Sequence, residues 1–311
     1  MCVLLLAAVL ACSSAAAHAE EAFVTNQLSD DLTIVDLATS KPVATIPIGG
    51  KPAGVAVAAD GRFAYVASPD DKSVSVIDAH ERKVVARIDV GGGPLGIVVT
   101  PNGATVYVAD WYSAAIRVID ASARTVTTSI AVGASPSGLA VTPDGKLLLS
   151  ADRDDDQVSV IDTSTRQRLR TIKVGTRPFG VTIDAEGRRA YTANVGSNDV
   201  SVIDLADFRE IGRVKTGLRP YAVALAQGRG FVTDQYDGTV SVFDVASLQP
   251  LKRINVGDYP EGIEATADGR QIIVANWESN MLSVIDVATL KVTGEIKVGD
   301  GPRAFGAFLR R

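Results

Sequence analysis

The chain has 311 residues, of which 46% are hydrophobic and 22% are charged, a composition typical of a folded globular protein rather than a disordered one. Its formal net charge of −5 argues against a nucleic-acid partner and against binding to an anionic membrane surface. The two cysteines, Cys2 and Cys12, lie in the first dozen residues, so the rest of the chain offers no disulfide, thiolate metal site or cysteine nucleophile.

The first 19 residues have the features of an export signal. Residues 3–11 form an apolar run too short to span a bilayer, and Ala17-His18-Ala19 fits a small-residue cleavage site. We therefore predict a signal peptide over residues 1–19 and a periplasmic or secreted location for the rest of the chain. The alternative is a lipoprotein signal that ends at Cys12, which would leave the protein anchored by lipid.

Residues 20–311 contain one motif that recurs seven times. Each copy has an alternating segment that ends in aspartate, such as Val74-Ser75-Val76-Ile77-Asp78, and a later segment that ends near a proline. The aspartates are Asp36, Asp78, Asp120, Asp162, Asp204, Asp244 and Asp286. The prolines are Pro52, Pro94, Pro136, Pro178, Pro220, Pro260 and Pro302. Both series step by 42 residues, apart from one step of 40, and a period of this length built from short strands is typical of a β-propeller.

Each repeat is predicted to contain four strands. In the order of the chain they are represented by Gly96-Ile97-Val98-Val99-Thr100, Tyr107-Val108-Ala109, Val158-Ser159-Val160-Ile161 and Arg170-Thr171-Ile172-Lys173-Val174. A turn such as Asn102-Gly103 joins the first two strands, because glycine supplies the positive φ that hairpin turns require. We interpret the aspartate after the third strand as the acceptor of an Asx-turn, since a residue present in every repeat is a poor candidate for catalysis.

The ends of the repeat array predict how the ring closes. The first copy begins at its second strand, Ala22-Phe23-Val24-Thr25, and the last copy adds a first strand over residues 303–308. Joining these strands in one blade would remove the sheet edge that an open ring leaves exposed. The step of 40 is attributed to a shorter first hairpin around Gln227-Gly228. The sequence thus predicts an all-β, seven-bladed propeller of four-stranded blades, as a single domain over residues 20–311.

The recurrent segments resemble the YVTN-repeat β-propeller family. The matching segments are Phe23-Val24-Thr25-Asn26, Tyr65-Val66-Ala67-Ser68, Tyr191-Thr192-Ala193-Asn194 and Ile273-Val274-Ala275-Asn276. The resemblance covers residues 22–309 and implies an exported binding or scaffold protein, similar to some encoded beside quinoprotein dehydrogenases. It is more distantly similar to the propellers of amine dehydrogenases and haem d1 enzymes, and it lacks the Gly-His and Trp-Asp signature of WD40 repeats.

Departures from the repeat predict a binding site on the face formed by the loops from fourth to first strand and from second to third strand. We call this the loop face. The residue after the proline is aromatic or charged in four consecutive blades, and we expect these four side chains to converge at a solvent-facing channel mouth. Equivalent loop positions carry the only two tryptophans. The predicted ligand- or partner-binding residues are Trp111, Trp277, Phe179, Tyr221, Glu261, Arg303, Arg177 and Arg219. The alternatives are tryptophans that pack as lids, and a Glu261–Arg303 ion pair between neighbouring blades.

The loops between second and third strands are acidic, with thirteen acids against Lys72 and Arg153. They are Asp30, Asp31, Asp70, Asp71, Asp110, Asp152, Asp154, Asp155, Asp156, Asp199, Asp234, Asp237 and Glu278. Such a rim would repel phosphate and attract a basic partner. Asp152, Asp154 and Asp156 are weak calcium candidates, but the run lacks EF-hand spacing. We interpret it as a solvated loop and expect no metal or other cofactor.

Catalytic signals are few. Beyond the signal the only histidine is His80, in the turn after Asp78 and therefore on the face opposite the predicted site, which excludes a Ser-His-Asp arrangement there. We predict a non-enzymatic, monomeric exported propeller that binds a protein partner or small ligand on the Trp-bearing face, with no transmembrane segment. One alternative is an accessory protein of a periplasmic quinoprotein or cytochrome redox system. Another is a hydrolase or lactonase that uses carboxylates such as Glu261 with Arg303 and Tyr221.

Overall fold

Twenty-eight short β-strands make up nearly all of the regular structure in the computed structural model, which describes residues 20–311. The first eleven are β1 (Glu21–Asn26), β2 (Asp31–Asp36), β3 (Lys41–Pro47), β4 (Val55–Val57), β5 (Phe63–Ser68), β6 (Ser73–Asp78), β7 (Lys83–Asp89), β8 (Pro94–Val99), β9 (Thr105–Asp110), β10 (Ala115–Asp120) and β11 (Thr125–Ala131). The next eight are β12 (Pro136–Val141), β13 (Leu147–Asp152), β14 (Gln157–Asp162), β15 (Gln167–Lys173), β16 (Pro178–Ile183), β17 (Arg189–Asn194), β18 (Asp199–Asp204) and β19 (Arg209–Lys215). The last nine are β20 (Pro220–Ala226), β21 (Arg229–Asp234), β22 (Thr239–Asp244), β23 (Pro250–Asn255), β24 (Pro260–Ala265), β25 (Gln271–Asn276), β26 (Met281–Asp286), β27 (Lys291–Lys297) and β28 (Leu309–Arg310).

These strands form seven antiparallel sheets of four strands each, the blades of a propeller, which confirms the predicted fold. Blade 1 has the order β28-β1-β2-β3, and blades 2 to 7 take the following strands four at a time in chain order. Among residues 20–311 the helical structure is a single 3-10 turn, Arg153–Asp155, and no helix there is long and apolar enough to cross a membrane. The predicted signal peptide and Cys12 lie outside the described residues.

The core lies between the blades. Sheets stacked around an axis cover both faces of each middle strand, so β6 is buried over five of its six residues, including the serine at position 75. One interblade cluster, for example, packs Tyr65 and Val76 of blade 2 against Ile97 and Val106 of blade 3. The outermost strand β7 is mostly exposed or half-buried because only its inner edge is paired.

A glycine stands two residues after five of the seven repeat prolines and has a packing role. A Cβ added at Gly96 would overlap the carbonyl oxygen of Ser137 in the next blade. Gly54 and Gly138 meet backbone atoms of Leu95 and Phe179 in the same way. The innermost strands therefore approach backbone to backbone around the channel, which a side chain there would prevent.

The predicted turn chemistry is confirmed. Each of the seven repeat aspartates accepts a backbone N–H two or three residues ahead; Asp78 Oδ1, for instance, accepts from His80 (3.0 Å) and Glu81 (2.9 Å). These hydrogen bonds hold the pKa of Asp78 below its usual value. The short sixth repeat has a two-residue hairpin at Gln227-Gly228, where both φ angles are positive (46° and 73°), as in a type I′ turn.

Ring closure occurs in blade 1, but its regular pairing differs from the prediction. Strand β28 is Leu309–Arg310, not residues 303–308, and it pairs with Glu21 and Ala22. Residues 302–308 follow β1 irregularly, with Arg303 N–H donating to Thr25 O (2.8 Å). Positive φ at Ala304 (45°) and Gly306 (128°) breaks the strand there, which is why the predicted range was wrong.

Candidate functional site

Four residues that follow blade prolines meet at the loop-face end of the channel. The rings of Phe179 and Tyr221 have centroids 4.2 Å apart, and Phe305 lies 5.2 Å from Phe179. Arg303 Nε donates to Glu261 Oε2 (2.6 Å), and Arg303 also donates to the hydroxyl of Tyr221. We call these five residues the plug. It brings together four residues that the sequence grouped by position alone.

The plug is buried, whereas the sequence predicted a solvent-facing mouth. Tyr221 is 2% exposed and Glu261 is 5% exposed, and Phe179 belongs to a cluster of buried apolar side chains around the axis. Burial raises the pKa of the Tyr221 hydroxyl. The expectation of solvent-facing side chains was wrong because rings from adjacent blades fill the narrow channel and exclude water.

The Glu261 carboxylate is held on both oxygens. Gln235 Nε2 donates to Oε1 (2.7 Å), and Arg303 Nε donates to Oε2. This geometry agrees with the alternative of an ion pair between neighbouring blades. A carboxylate so occupied has a structural role, so this geometry gives no support to acid–base catalysis at Glu261.

The two tryptophans occupy equivalent positions but have different surroundings. Trp111 lies 6.2 Å from Phe179, and Arg153 lies over its ring at 5.4 Å, so Trp111 packs on the plug. Trp277 donates from Nε1 to Gln27 Oε1 (3.2 Å). Both are half-buried. Each tryptophan therefore packs against a neighbour and still presents part of its ring to solvent.

A band of exposed apolar side chains extends from Trp277 along the loop face. Tyr259 lies 6.2 Å from Trp277 and 5.6 Å from Tyr236, centroid to centroid. Tyr236 N–H donates to Leu218 O (3.2 Å), and Leu28 approaches Trp277 across Gly301. We call Leu218, Tyr236, Tyr259, Trp277 and Leu28 the aromatic arc. Apart from Trp277, sequence reasoning missed it, because its members come from five different loops.

Charged side chains border the aromatic arc. The Arg219 guanidinium lies 4.9 Å from the centre of the Tyr236 ring. Asp258 and Glu278 are exposed in the loops of Tyr259 and Trp277, and Asp300 is exposed in the loop that accepts the N–H of Leu28 (2.9 Å). Arg177 is exposed farther round the face, where its N–H donates to Asp156 Oδ1 (2.7 Å). Of the two predicted arginines, the structure places Arg219 beside the arc and Arg177 away from it.

Fewer acidic side chains face solvent on the loop face than the sequence predicts. Asp110, Asp152, Asp199 and Asp234 are at most 2% exposed. Three of them accept the N–H of a glycine in the preceding loop, as Asp110 does from Gly93 (3.0 Å). Basic residues of outer strands also pair with acids of these loops, for example Lys215 of β19 with Asp199 (3.3 Å) and Arg253 of β23 with Asp237 (3.6 Å). The prediction that all thirteen acids form a solvent rim was wrong, because these four turn inward to fasten loops.

The aspartates of the acidic run in blade 4 accept hydrogen bonds from different donors and do not converge on one point. Asp154 accepts from the Ser135 hydroxyl (2.7 Å), Asp155 from Ala134 N–H (2.8 Å) and Asp156 from Arg177 N–H. Asp152 is buried with hydrogen bonds of its own, and burial raises its pKa. Within residues 20–311, no three His, Cys, Asp or Glu side chains cluster closely enough to hold a metal ion. Asp152, Asp154 and Asp156, the weak metal candidates, thus form hydrogen bonds that connect adjacent loops.

A cavity of about 430 Å³ continues along the channel on the other side of the plug. Glu264 lies in its wall and accepts the N–H groups of Phe308 (2.6 Å) and Leu309 (2.9 Å), while Arg311 Nη2 lies 3.3 Å from Oε1. Burial raises the pKa of Glu264 to about 7. Sequence reasoning missed Glu264. Comparing the fourth residue after each proline would have found it, because the other six copies have Ala56, Val98, Ala140, Thr182, Ala224 and Gly306.

These features define a seven-bladed β-propeller with a closed loop-face mouth and an open cavity behind it. A family model described as a YNCE-like beta-propeller matches residues 6–105, about a third of the chain, which supports membership in a β-propeller family. No curated protein matches the chain significantly.

Solved structures share the fold at low sequence identity. A functionally unknown protein from Desulfotomaculum acetoxidans is 17% identical with a TM-score of 0.78, covering 92% of this chain and 97% of that one. Hydrazine synthase from Kuenenia stuttgartiensis is 20% identical with a TM-score of 0.74, covering 82% and 89%. Dihydro-heme d1 dehydrogenase NirN is 19% identical with a TM-score of 0.68, covering 91% and 74%. At these identities the similarity concerns the fold alone.

Proposed function

We propose that this protein is an exported, non-enzymatic propeller of the YVTN-repeat type that binds a protein partner through the aromatic arc. The observation that carries the proposal is the exposure of adjacent large apolar side chains, such as Tyr236 at 56% and Leu218 at 51%. Contiguous exposed aromatics are characteristic of contact surfaces, and tyrosine and tryptophan are enriched among residues that dominate binding energy.

The charges around the arc support a basic partner. Three exposed acids, Asp258, Glu278 and Asp300, border the apolar band, against one half-buried arginine, Arg219, beside Tyr236. A partner with an apolar centre and surrounding lysines or arginines matches this surface. Exposed charges of this kind steer association and are screened by salt, so binding should be faster at low ionic strength.

A basic periplasmic redox protein is the partner class that we favour. Support comes from the acidic border of the arc and from two proteins with the same fold, a hydrazine synthase and a dihydro-heme d1 dehydrogenase. In this role the propeller would hold a cytochrome or quinoprotein and would need no redox cofactor of its own.

The test compares two tyrosine variants of the same face. Tyr236→Ala combined with Tyr259→Ala removes the centre of the arc, whereas Tyr112→Ala removes a tyrosine that is 81% exposed on blade 3, outside the arc. Each immobilised protein is exposed to the periplasmic fraction of its source, and the captured protein is purified for kinetic measurement. We expect the double variant to lose at least about tenfold in affinity, as for a binding hot spot, and Tyr112→Ala to bind normally. Equal binding by the wild-type protein, the double variant and Tyr112→Ala would refute the role of the arc.

The charge of the partner is tested separately. Asp258→Asn with Glu278→Gln should slow association with a purified basic cytochrome and flatten its salt dependence, while dissociation changes little. Asp207→Asn, an exposed acid in a turn on the opposite face, is the control. If the arc variant loses its captured partner but the cytochrome does not bind, the partner belongs to another class.

A further inference from the structure

The central channel contains a site that is separate from the loop face. The plug closes one end, where Phe305 meets the rings of Phe179 and Tyr221. From there the cavity of about 430 Å³ follows the inner strands of blades 3 to 7 toward the opposite face, where exposed Ala185 and Arg311 line it. This volume falls within the range of about 300–1,000 Å³ that small-molecule sites occupy.

The wall of the cavity is almost entirely apolar. Among its described lining residues, only Thr182, Glu264 and Arg311 have polar side chains; the rest are glycines and apolar residues of inner strands, such as Val98 and Leu225. Such a surface favours a ligand that is apolar over most of its length and polar at one point.

Glu264 and the charged groups around it determine whether the polar group of the ligand is a cation or an anion. The carboxylate faces Arg311 (3.3 Å), and Glu20 adds a second negative charge nearby, which opposes ionisation of Glu264. The Glu20 carboxylate itself accepts a hydrogen bond from Ala267 N–H (3.1 Å). The Arg311 side chain is 57% exposed, so it can move into solvent at little cost. An arriving cation would meet the Glu264 carboxylate and one displaceable guanidinium, with the negative charge of Glu20 nearby, whereas an anion would be repelled by both carboxylates.

We propose that the channel binds an amphiphilic organic cation, with its apolar body between the inner strands and a protonated amine that replaces the Arg311 guanidinium at Glu264 Oε1. The Glu264 carboxylate has a cost of burial that a cation offsets. This site does not depend on the aromatic arc, because the plug lies between them.

The first experiment compares three ligands of equal chain length by calorimetry, below their micelle concentrations. Decylammonium should bind the wild-type protein at least about tenfold more tightly than 1-decanol or decanoate, a ratio that corresponds to about 1.4 kcal/mol. Equal affinities for the three, or no binding of decylammonium, would overturn the proposal. This comparison needs no variant.

Variants then locate the site. Glu264→Gln keeps an acceptor for Phe308 and Leu309 N–H but removes the charge, and should reduce decylammonium affinity about tenfold with no change for decanol. Glu186→Gln, an exposed acid on the same end of the molecule but outside the cavity, is the control. Arg311→Ala should tighten decylammonium binding by removing the competing cation, and Ala140→Phe, which fills the channel, should abolish it. An unchanged affinity in Glu264→Gln, Arg311→Ala or Ala140→Phe would overturn the proposal.

Proton linkage provides a readout that does not depend on a variant. An ammonium enclosed by the channel stabilises the Glu264 carboxylate more than the 57% exposed Arg311 guanidinium that it replaces, so it lowers the pKa of this carboxyl, which lies at about 7 without ligand. Binding of decylammonium at pH 7 should therefore release a fraction of a proton, measured as a dependence of the binding enthalpy on buffer ionisation enthalpy. Proton uptake, or no linkage, would contradict an ammonium at Glu264.

Discussion

Replacing Arg303 with alanine should destabilise the protein far more than its position at a loop end suggests. Arg303 neutralises Glu261 through a 2.6 Å ion pair and also donates to the hydroxyl of Tyr221. Both charged side chains are buried or nearly so. Removal of one partner leaves an uncompensated buried carboxylate, and such changes cost about 3–5 kcal/mol, a large share of the 5–15 kcal/mol typical of a folded domain.

The measurement is the free energy of unfolding from urea titration. Arg303→Ala is compared with Lys146→Ala, which removes an exposed pair with Asp144 (3.2 Å) and should cost less than about 1 kcal/mol. The double change Glu261→Gln with Arg303→Met should cost less than Arg303→Ala alone, because it leaves no buried charge without a partner.

A cost below about 1 kcal/mol for Arg303→Ala would show that Glu261 is solvated after the change, and the plug would then not exclude water. A double variant less stable than the single one would show that packing of the arginine stem, rather than charge compensation, is the main contribution of Arg303.

Three further outcomes are expected. Deleting residues 303–311 removes the closing strand and the plug arginine, so the truncated protein should lose soluble, cooperative folding; an unchanged melting temperature would show that closure is made elsewhere. Gly96→Ala should destabilise by about 1–3 kcal/mol through overlap with the Ser137 backbone, whereas Gly294→Ala, with its nearest atom at 3.8 Å, should have little effect, and equal effects would contradict the packing argument. Because the folded-state pKa of Glu264 is raised from 4.5 to about 7, wild-type stability relative to Glu264→Gln should fall as pH rises through this window; a constant difference would show that the carboxyl is not desolvated.

Local features were readable from the sequence because they depend on nearby residues. The alternation that ends at Asp78 predicts a strand and a turn, and the carboxylate bonds to N–H groups two and three residues ahead. The missing pair of residues near Gln227-Gly228 predicts a tight hairpin for the same reason. Regular repetition then indicates the number of blades without any knowledge of tertiary contacts.

Features that depend on closure of the ring were decided by the tertiary structure. Asp110 and the exposed Asp70 both lie in or beside second-to-third-strand loops, yet Asp110 is buried against Gly93 of the preceding loop. The residues of the aromatic arc are separated along the chain, and Leu28 joins Trp277 only because blade 1 closes on blade 7. Whether a polar side chain is solvated or buried depends on what the neighbouring blade places against it, and a repeat pattern does not contain that information.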